Sequence, residues 1–329
     1  MTQPKDLLFL DVDTGIDDAL ALLQACGEPN TRIVGVSTVV GNVTLAAATR
    51  NTRAVLAMAG RSEIPVFPGA AIPLSTAPTD ASVVHGESGL GYAVLPEPKS
   101  PASSTHGVDA IVAAAHAHAG KLTLVATGPL TNVALALMRE PDLPRLLKRF
   151  VIMGGAFGAP GNVTPSAEFN IWHDPEAARI VFRMFGGVGA ALVVAVGLDV
   201  TRQTTFDADD IAAYARRVAN APRGEAMIRF IEDSSRHYFE LMEKWHGARY
   251  LTMHDPLALG VALDPTLIRT RQCTVDVETS GRITMGATIP DWRGQWERMP
   301  NAEVAVEVDA PRFKAMFFDA LARLAETAA

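Results

Sequence analysis

The chain has 329 residues, 48% of them hydrophobic and 20% charged, and a net charge of −7. That length supports a sizeable core in one domain or two, and the acidic balance argues against nucleic acid as a partner, which calls for a basic face or stripe. The two cysteines, Cys26 and Cys273, make neither a disulfide framework nor a zinc spacing.

The apolar run that follows the first six residues is too short for a signal peptide. No uncharged apolar stretch approaches the roughly 18 residues that a membrane span needs, so a cytoplasmic protein with no membrane partner is expected. Residues 7–10 read as a strand, broken by Asp11-Val12-Asp13-Thr14-Gly15, and a helical pattern starts at Asp17. Cys26 follows the apolar run 19–23, which suggests a buried thiol. Residues 32–40 repeat the strand signal, and 44–59 form an Ala-rich helical pattern.

Residues 75–104 are rich in Pro, Ser and Gly and read as a long loop, a kind of segment that is often functional. Strand and helix recur over 121–126 and 130–138, and apolar strands follow at 150–153 and 190–196 with a helix over 175–185 between them. Strands apolar at nearly every position, alternating with helices, predict an open, mostly parallel, Rossmann-like α/β sheet flanked by helices. Shorter alternating runs at 273–278, 283–288 and 304–308 predict a small antiparallel β-ribbon near the C-terminus, closed by a helix from Pro311. With no long polar linker and no internal repeat, residues 1–329 read as a single catalytic domain.

Asp11, Asp13, Asp17 and Asp18 fall at the end of the first strand and the start of the first helix. Ligands of open α/β sheets bind outside the carboxyl ends of the strands, so the place suits a site. One carboxylate can cap a helix and a second can favour its dipole. Four close together repel unless a cation or a changed protonation state relieves them. Hard oxygen donors favour calcium or magnesium over zinc. An EF-hand is excluded, because Gly15, Ile16 and Leu22 stand at its fifth, sixth and twelfth places. Asp11-Val12-Asp13 also fits the start of a haloacid-dehalogenase-like Mg²⁺ phosphatase, although that family wants Thr or Val where Gly15 stands.

The stretch Asp11-Val12-Asp13-Thr14-Gly15-Ile16-Asp17-Asp18-Ala19 resembles the signature of the inosine–uridine preferring nucleoside hydrolases, with Thr14 where many relatives have proline. Further matches follow in family order: Gly41-Asn42-Val43, His85-Gly86, Thr127-Gly128-Pro129-Leu130-Thr131-Asn132, Met153-Gly154-Gly155, Glu168-Phe169-Asn170 with Asp174-Pro175-Glu176-Ala177, and His254-Asp255-Pro256. The resemblance implies hydrolysis of the N-glycosidic bond of a ribonucleoside, purine or pyrimidine, as in nucleoside salvage. It also implies a homodimer or homotetramer, and a Ca²⁺ held by Asp13, Asp18, the Thr127 carbonyl and Asp255.

By the same resemblance Asp13 is the general base, and Asp17, Asn42, Glu168 and Asn170 bind ribose hydroxyls. Met153 is expected near the sugar, and Phe169, His85 and Tyr238 near the base. Histidine suits a group that assists the leaving base, since its ordinary pKa lies near neutrality, and His254, beside Asp255, is the first candidate. The other histidines carry no motif, and Asp174 before Pro175 reads as a helix cap. Against hydrolysis stand the phosphatase and a catalytically inactive nucleoside-binding module.

Overall fold

The computed structural model describes residues 6–99, 101–187 and 189–328. In chain order its strands are β1 (Asp6–Val12), β2 (Thr31–Thr38), β3 (Val66–Pro68), β4 (Leu122–Ala126), β5 (Arg149–Met153) and β6 (Val193–Val196). They are followed by β7 (Thr205–Phe206), β8 (Leu251–Thr252), β9 (Ile268–Val277), β10 (Thr288–Asp291) and β11 (Ala302–Val308). Nine of these form one sheet in the order β10-β9-β11-β6-β5-β4-β1-β2-β3, while β7 and β8 form an antiparallel pair of their own. Every pairing from β11 through to β3 is parallel, and β9 runs antiparallel to both β11 and β10.

The apolar strand runs are explained by how each strand divides its side chains. Leu8, Leu10 and Val12 of β1 enter one core with Val151 and Met153 of β5 and Val194 and Val196 of β6. Phe9 of β1 points the other way, into a second core with Leu124, Phe150, Ile152, Val193 and Ala195. Successive side chains of a strand face opposite sides, so a sheet buried on both faces needs apolar residues at every position. Burial of a Leu, Val or Phe contributes about 1.5–3 kcal/mol, which makes both cores indispensable to the central strands.

Two expectations shift. The strand expected at 283–288 is a turn, and the strand that pairs with β9 starts at Thr288. Glu278 accepts hydrogen bonds from Ser280 N and Gly281 N, Met285 N bonds Gly281 O, and Gly286 has a φ of +82°. A chain curled in that way cannot be extended. Cys26 is only partly buried, packed on the edge of the first core, and desolvation still pushes its thiol up to about 12.

Among its described residues the segment 75–104 carries one short helix, Ser82–His85, and it is tied down at several points. Asn51 Nδ2 donates to Ser88 O (2.7 Å), Tyr92 N to Asp233 O (3.2 Å), and the Tyr92 hydroxyl to Glu240 (2.7 Å). No helix among the described residues is long and apolar enough to cross a membrane.

Asn132 joins the central strands at their carboxyl ends. Its Nδ2 donates to Asp11 Oδ1 (2.8 Å) and Thr38 O (3.0 Å), and its Oδ1 accepts from Ala70 N (2.8 Å). Burial raises the Asp11 carboxyl to about 7 against the lowering effect of Asn132 and Ser37. Asn132→Ala is expected to cost about 3 kcal/mol, because it strands buried partners and leaves a void. Urea unfolding checks this, and an unchanged midpoint would refute the bridging role.

Candidate active site

The site lies where the parallel strands end. Asp13 follows β1, Asn42 follows β2, Thr127 follows β4, Met153 ends β5, and Thr201 with Arg202 follows β6. The helix Ile16–Cys26 starts in the acidic loop, with Asp17 and Asp18 in its first turn, and Asp255 lies in the first turn of the helix His254–Leu263. Thr14, at the position of the relatives' proline, bonds the Thr52 hydroxyl (2.6 Å) and so ties the loop to the helix Leu45–Met58.

Asp13 is fully buried. Its Oδ2 accepts from Asn42 N (2.6 Å), whereas its Oδ1 has no hydrogen-bond partner among the described residues. Two glycine turns close on this carboxylate. A Cβ at Gly41 would stand 2.1 Å from Oδ2, and one at Gly128 would stand 2.9 Å from Oδ1. Asp18 accepts from Gly15 N (2.9 Å), Asn42 Nδ2 (3.1 Å) and the Thr127 hydroxyl (2.7 Å).

Burial and mutual repulsion dominate the electrostatics. Burial, then the charge of Asp18, pushes the Asp13 carboxyl well above the usual range and that of Asp17 to about 7. Burial, then Asp17, Asp18 and Asp13, does the same for Asp255. Ligand oxygens of Asp17, Asp18 and Asp255 lie within 4.8 Å of one another. The donor set is hard oxygen, its acids repel, and one buried oxygen lacks a partner, so these residues fit a divalent cation. The resemblance implied Asp13, Asp18 and Asp255 as the metal carboxylates, whereas the trio whose ligand atoms lie within 4.8 Å of one another contains Asp17 in place of Asp13.

Above these acids opens a cavity of about 750 Å³, in the range of small-molecule sites. Asp17, Asn42, His85, Thr127, Met153, Glu168, Phe169, Asn170, Tyr238, His254 and Asp255 line it, so the expected residues come together in space. Asp13 and Asp18 lie beneath, with no exposed surface. Glu168 caps the helix Phe169–His173, its oxygens accepting from Gly155 N, Asn170 N and Ile171 N (2.9–3.2 Å). Asn170 Nδ2 donates to Thr127 O (2.6 Å) and Met153 O (3.1 Å), which leaves its Oδ1 for a ligand. Tyr238 is buried on the helix Gly224–His246, and desolvation raises its hydroxyl pKa. Phe169 is half-buried and tilts against His173, with ring centroids 5.5 Å apart. Asp174 caps the helix Pro175–Met184 through Ala177 N (3.1 Å), as its place before proline predicted.

Both candidate histidines are held neutral. His85 Nδ1 accepts from Ile16 N (3.0 Å), which puts its proton on Nε2, and burial lowers its pKa to about 3. His254 Nδ1 pairs with the Thr201 hydroxyl (2.8 Å), and burial followed by the charge of Arg202 takes it to about 4. Each suits hydrogen bonding to a ligand better than carrying an extra proton. The sequence reading missed Arg202, Val83, Trp245, His246 and Tyr250, which also line the cavity. Arg202 had a usable signal in its place past an apolar strand; Val83 lies in the short helix Ser82–His85, Trp245 and His246 at a helix end and Tyr250 in a loop, none with a motif.

The family model described as inosine-uridine preferring nucleoside hydrolase matches residues 8–315. The chain is 37% identical to an inosine-uridine preferring nucleoside hydrolase of Leishmania major, over 97% of this chain and 98% of that protein. It is 38% identical to the pyrimidine-specific ribonucleoside hydrolase RihA of Citrobacter koseri, over 96% and 97% of the two. Among solved structures, a purine-preferring ribonucleoside hydrolase from Gardnerella vaginalis superposes with a TM-score of 0.89 at 33% identity, covering 98% of this chain and 99% of that one.

Proposed function

The chain belongs to the inosine-uridine preferring nucleoside hydrolase family and hydrolyses ribonucleosides, and from that premise we propose that Asp13 is its general base and Ca²⁺ its metal. The observation that carries this is the convergence of buried carboxylates, one with an unpartnered oxygen, beneath a cavity of nucleoside size. Family membership removes the phosphatase alternative.

Asp13, Asp18, Asp255 and the Thr127 carbonyl would hold the cation. Bound there, it supplies positive charge that acidifies water and anchors ribose hydroxyls. Calcium suits a set of carboxylates and a carbonyl drawn from separate elements better than magnesium, which demands a stricter octahedron. Asp13 receives the proton of the attacking water at Oδ1, the oxygen that accepts no hydrogen bond from the described residues. Asp17, Asn42 and Asn170 bind the ribose hydroxyls, and Glu168 has three backbone bonds holding it in reach of the same sugar. The transition state has oxocarbenium character, so these oxygen dipoles stabilise the positive charge that grows at the anomeric carbon. His85 and His254 face the base as neutral hydrogen-bonding groups. Self-association into a homodimer or homotetramer belongs to the same proposal.

A site with polar groups committed to a hydroxyl rejects a substrate that lacks it by about 10⁴-fold. 2′-Deoxyinosine and 2′-deoxyuridine are therefore expected to be cleaved about that much more slowly, in kcat/KM, than their ribose parents. Base release from the paired substrates measures this, and comparable rates would remove the ribose role from Asn42 and Asn170.

A further inference from the structure

Two segments that meet at the site are bridged by a side chain that does not line the cavity. Asn51, on the helix Leu45–Met58, is 1% exposed, and its Nδ2 donates to Thr14 O at 3.2 Å and to Ser88 O at 2.7 Å. Its Oδ1 accepts from Arg50 Nη2 at 3.1 Å, so the amide is oriented with both N–H groups towards the carbonyls. Thr14 follows Asp13 in the acidic loop, and Ser88 lies three residues after His85. The chain is shaped for this contact at Gly89, whose φ is +85° and where a Cβ would stand 2.8 Å from Asn51 Nδ2. The two segments also touch directly, since Ile16 N donates to His85 Nδ1 and a Cβ at Gly15 would stand 2.5 Å from that nitrogen. The acidic loop has anchors of its own in the Thr14–Thr52 hydroxyl bond and in Asn42 N on Asp13. The segment with His85 is tied at its start by Ala81 N to Asn42 O, and on its far side to the helix Gly224–His246 through Tyr92 N and Val83 O. Loss of the Asn51 amide therefore loosens the turn from His85 to Gly91 rather than the acids.

We propose that Asn51 is a positioning residue for the hydrolysis: by bridging Thr14 O and Ser88 O it keeps His85 in register with Asp13, so that both act on one bound nucleoside. This rests on the role given to His85 above. Asn51 acts through Ser88 and the turn that returns to His85, closed by Gly91 N on His85 O at 2.8 Å. A group displaced by about 1 Å can cost about 10²-fold in rate even when the altered residue is remote from the chemistry. Two carbonyls that lose their shared donor favour such a shift, because each must find a new partner or stay unpaired.

The test is a double-mutant cycle of Asn51→Ala with His85→Ala, read as kcat/KM on the better substrate of inosine and uridine, with the fold of each variant followed by thermal melting. Asn51→Ala is expected to lose about 10–100-fold in the wild-type background, and less than about threefold once His85→Ala has removed the group that it positions. Asn51→Ser, which keeps one donor, should lose less than Asn51→Ala. A purely structural role would lower the melting temperature and scale down the active enzyme by one factor in both backgrounds. Equal losses therefore overturn the proposal, as does an Asn51→Ala variant with wild-type kcat/KM. If Asn51→Ala fails to fold, Asn51→Ser is carried through the same cycle: a loss that shrinks in the His85→Ala background supports the proposal, and an equal loss or none overturns it. A His85→Ala variant with wild-type kcat/KM would sink the role of His85 and that of Asn51 with it, whereas a costly His85→Ala with equal losses from Asn51→Ala sinks only the positioning.

Discussion

Asp13→Asn is expected to lower kcat on ribonucleosides by about 10³-fold, the middle of the range for loss of a general base. The substitution keeps the shape of the side chain and can still accept from Asn42 N, the contact made at 2.6 Å by Oδ2. It removes the basic oxygen that no described residue hydrogen-bonds. It also takes one charge out of a group of buried acids that repel one another. The metal-free variant should therefore melt no lower than the metal-free wild type while being almost inactive, the exchange of stability against activity expected of a strained site. Steady-state rates and paired melting curves read both arms. A variant that keeps a tenth of the activity would discard Asp13 as the base, and a wild type that binds nucleosides without releasing base would favour the binding-only module.

Chelation of calcium is expected to abolish activity, with recovery on adding calcium back, and to make stability depend on pH. In the metal-free protein the carboxyl of Asp17 is raised to about 7, and those of Asp13 and Asp255 are raised too. A raised carboxyl is protonated in the folded chain but ionises near 3.9 in the unfolded chain. Its contribution is thus fully present below about pH 4 and is lost as pH rises towards the folded value, by up to about 1.4 kcal/mol per pH unit for each proton. Metal-free protein should become less stable between about pH 4 and 7, and the gain in melting temperature on adding calcium should grow over the same interval. A melting temperature indifferent to calcium at pH 7 would count against a cation at these acids.

Much of the architecture was readable in the sequence because parallel strands buried on both faces leave an unbroken apolar signature, as in Phe150-Val151-Ile152-Met153. The floor of the site was readable too, since Asp13, Asp17 and Asp18 sit together in the chain and one loop places them. The walls were harder. Glu168 was marked as a ribose ligand from its motif, but nothing in the spacing foretold that three backbone N–H groups would hold its carboxylate. His85 was placed near the base, yet its tautomer follows from Ile16 N, 69 residues away in sequence. The strand expected at 283–288 failed for a local reason, because the alternating residues there are followed by Gly286 at positive φ.

The place of β11 in the sheet has a consequence for biosynthesis. Residues 302–308 are made after every other strand of the sheet, yet they lie between β6 and β9 rather than at an edge. Until they emerge from the ribosome, β6 offers an unpaired, wholly apolar flank, the kind of edge that folded proteins usually blunt or cover. A nascent or prematurely terminated chain that stops before Ala302 carries the acidic floor of the site, from Asp13 through to Asp255, but exposes a sticky seam through the middle of its sheet. The burden of keeping such chains from associating falls on chaperones until β11 has been made.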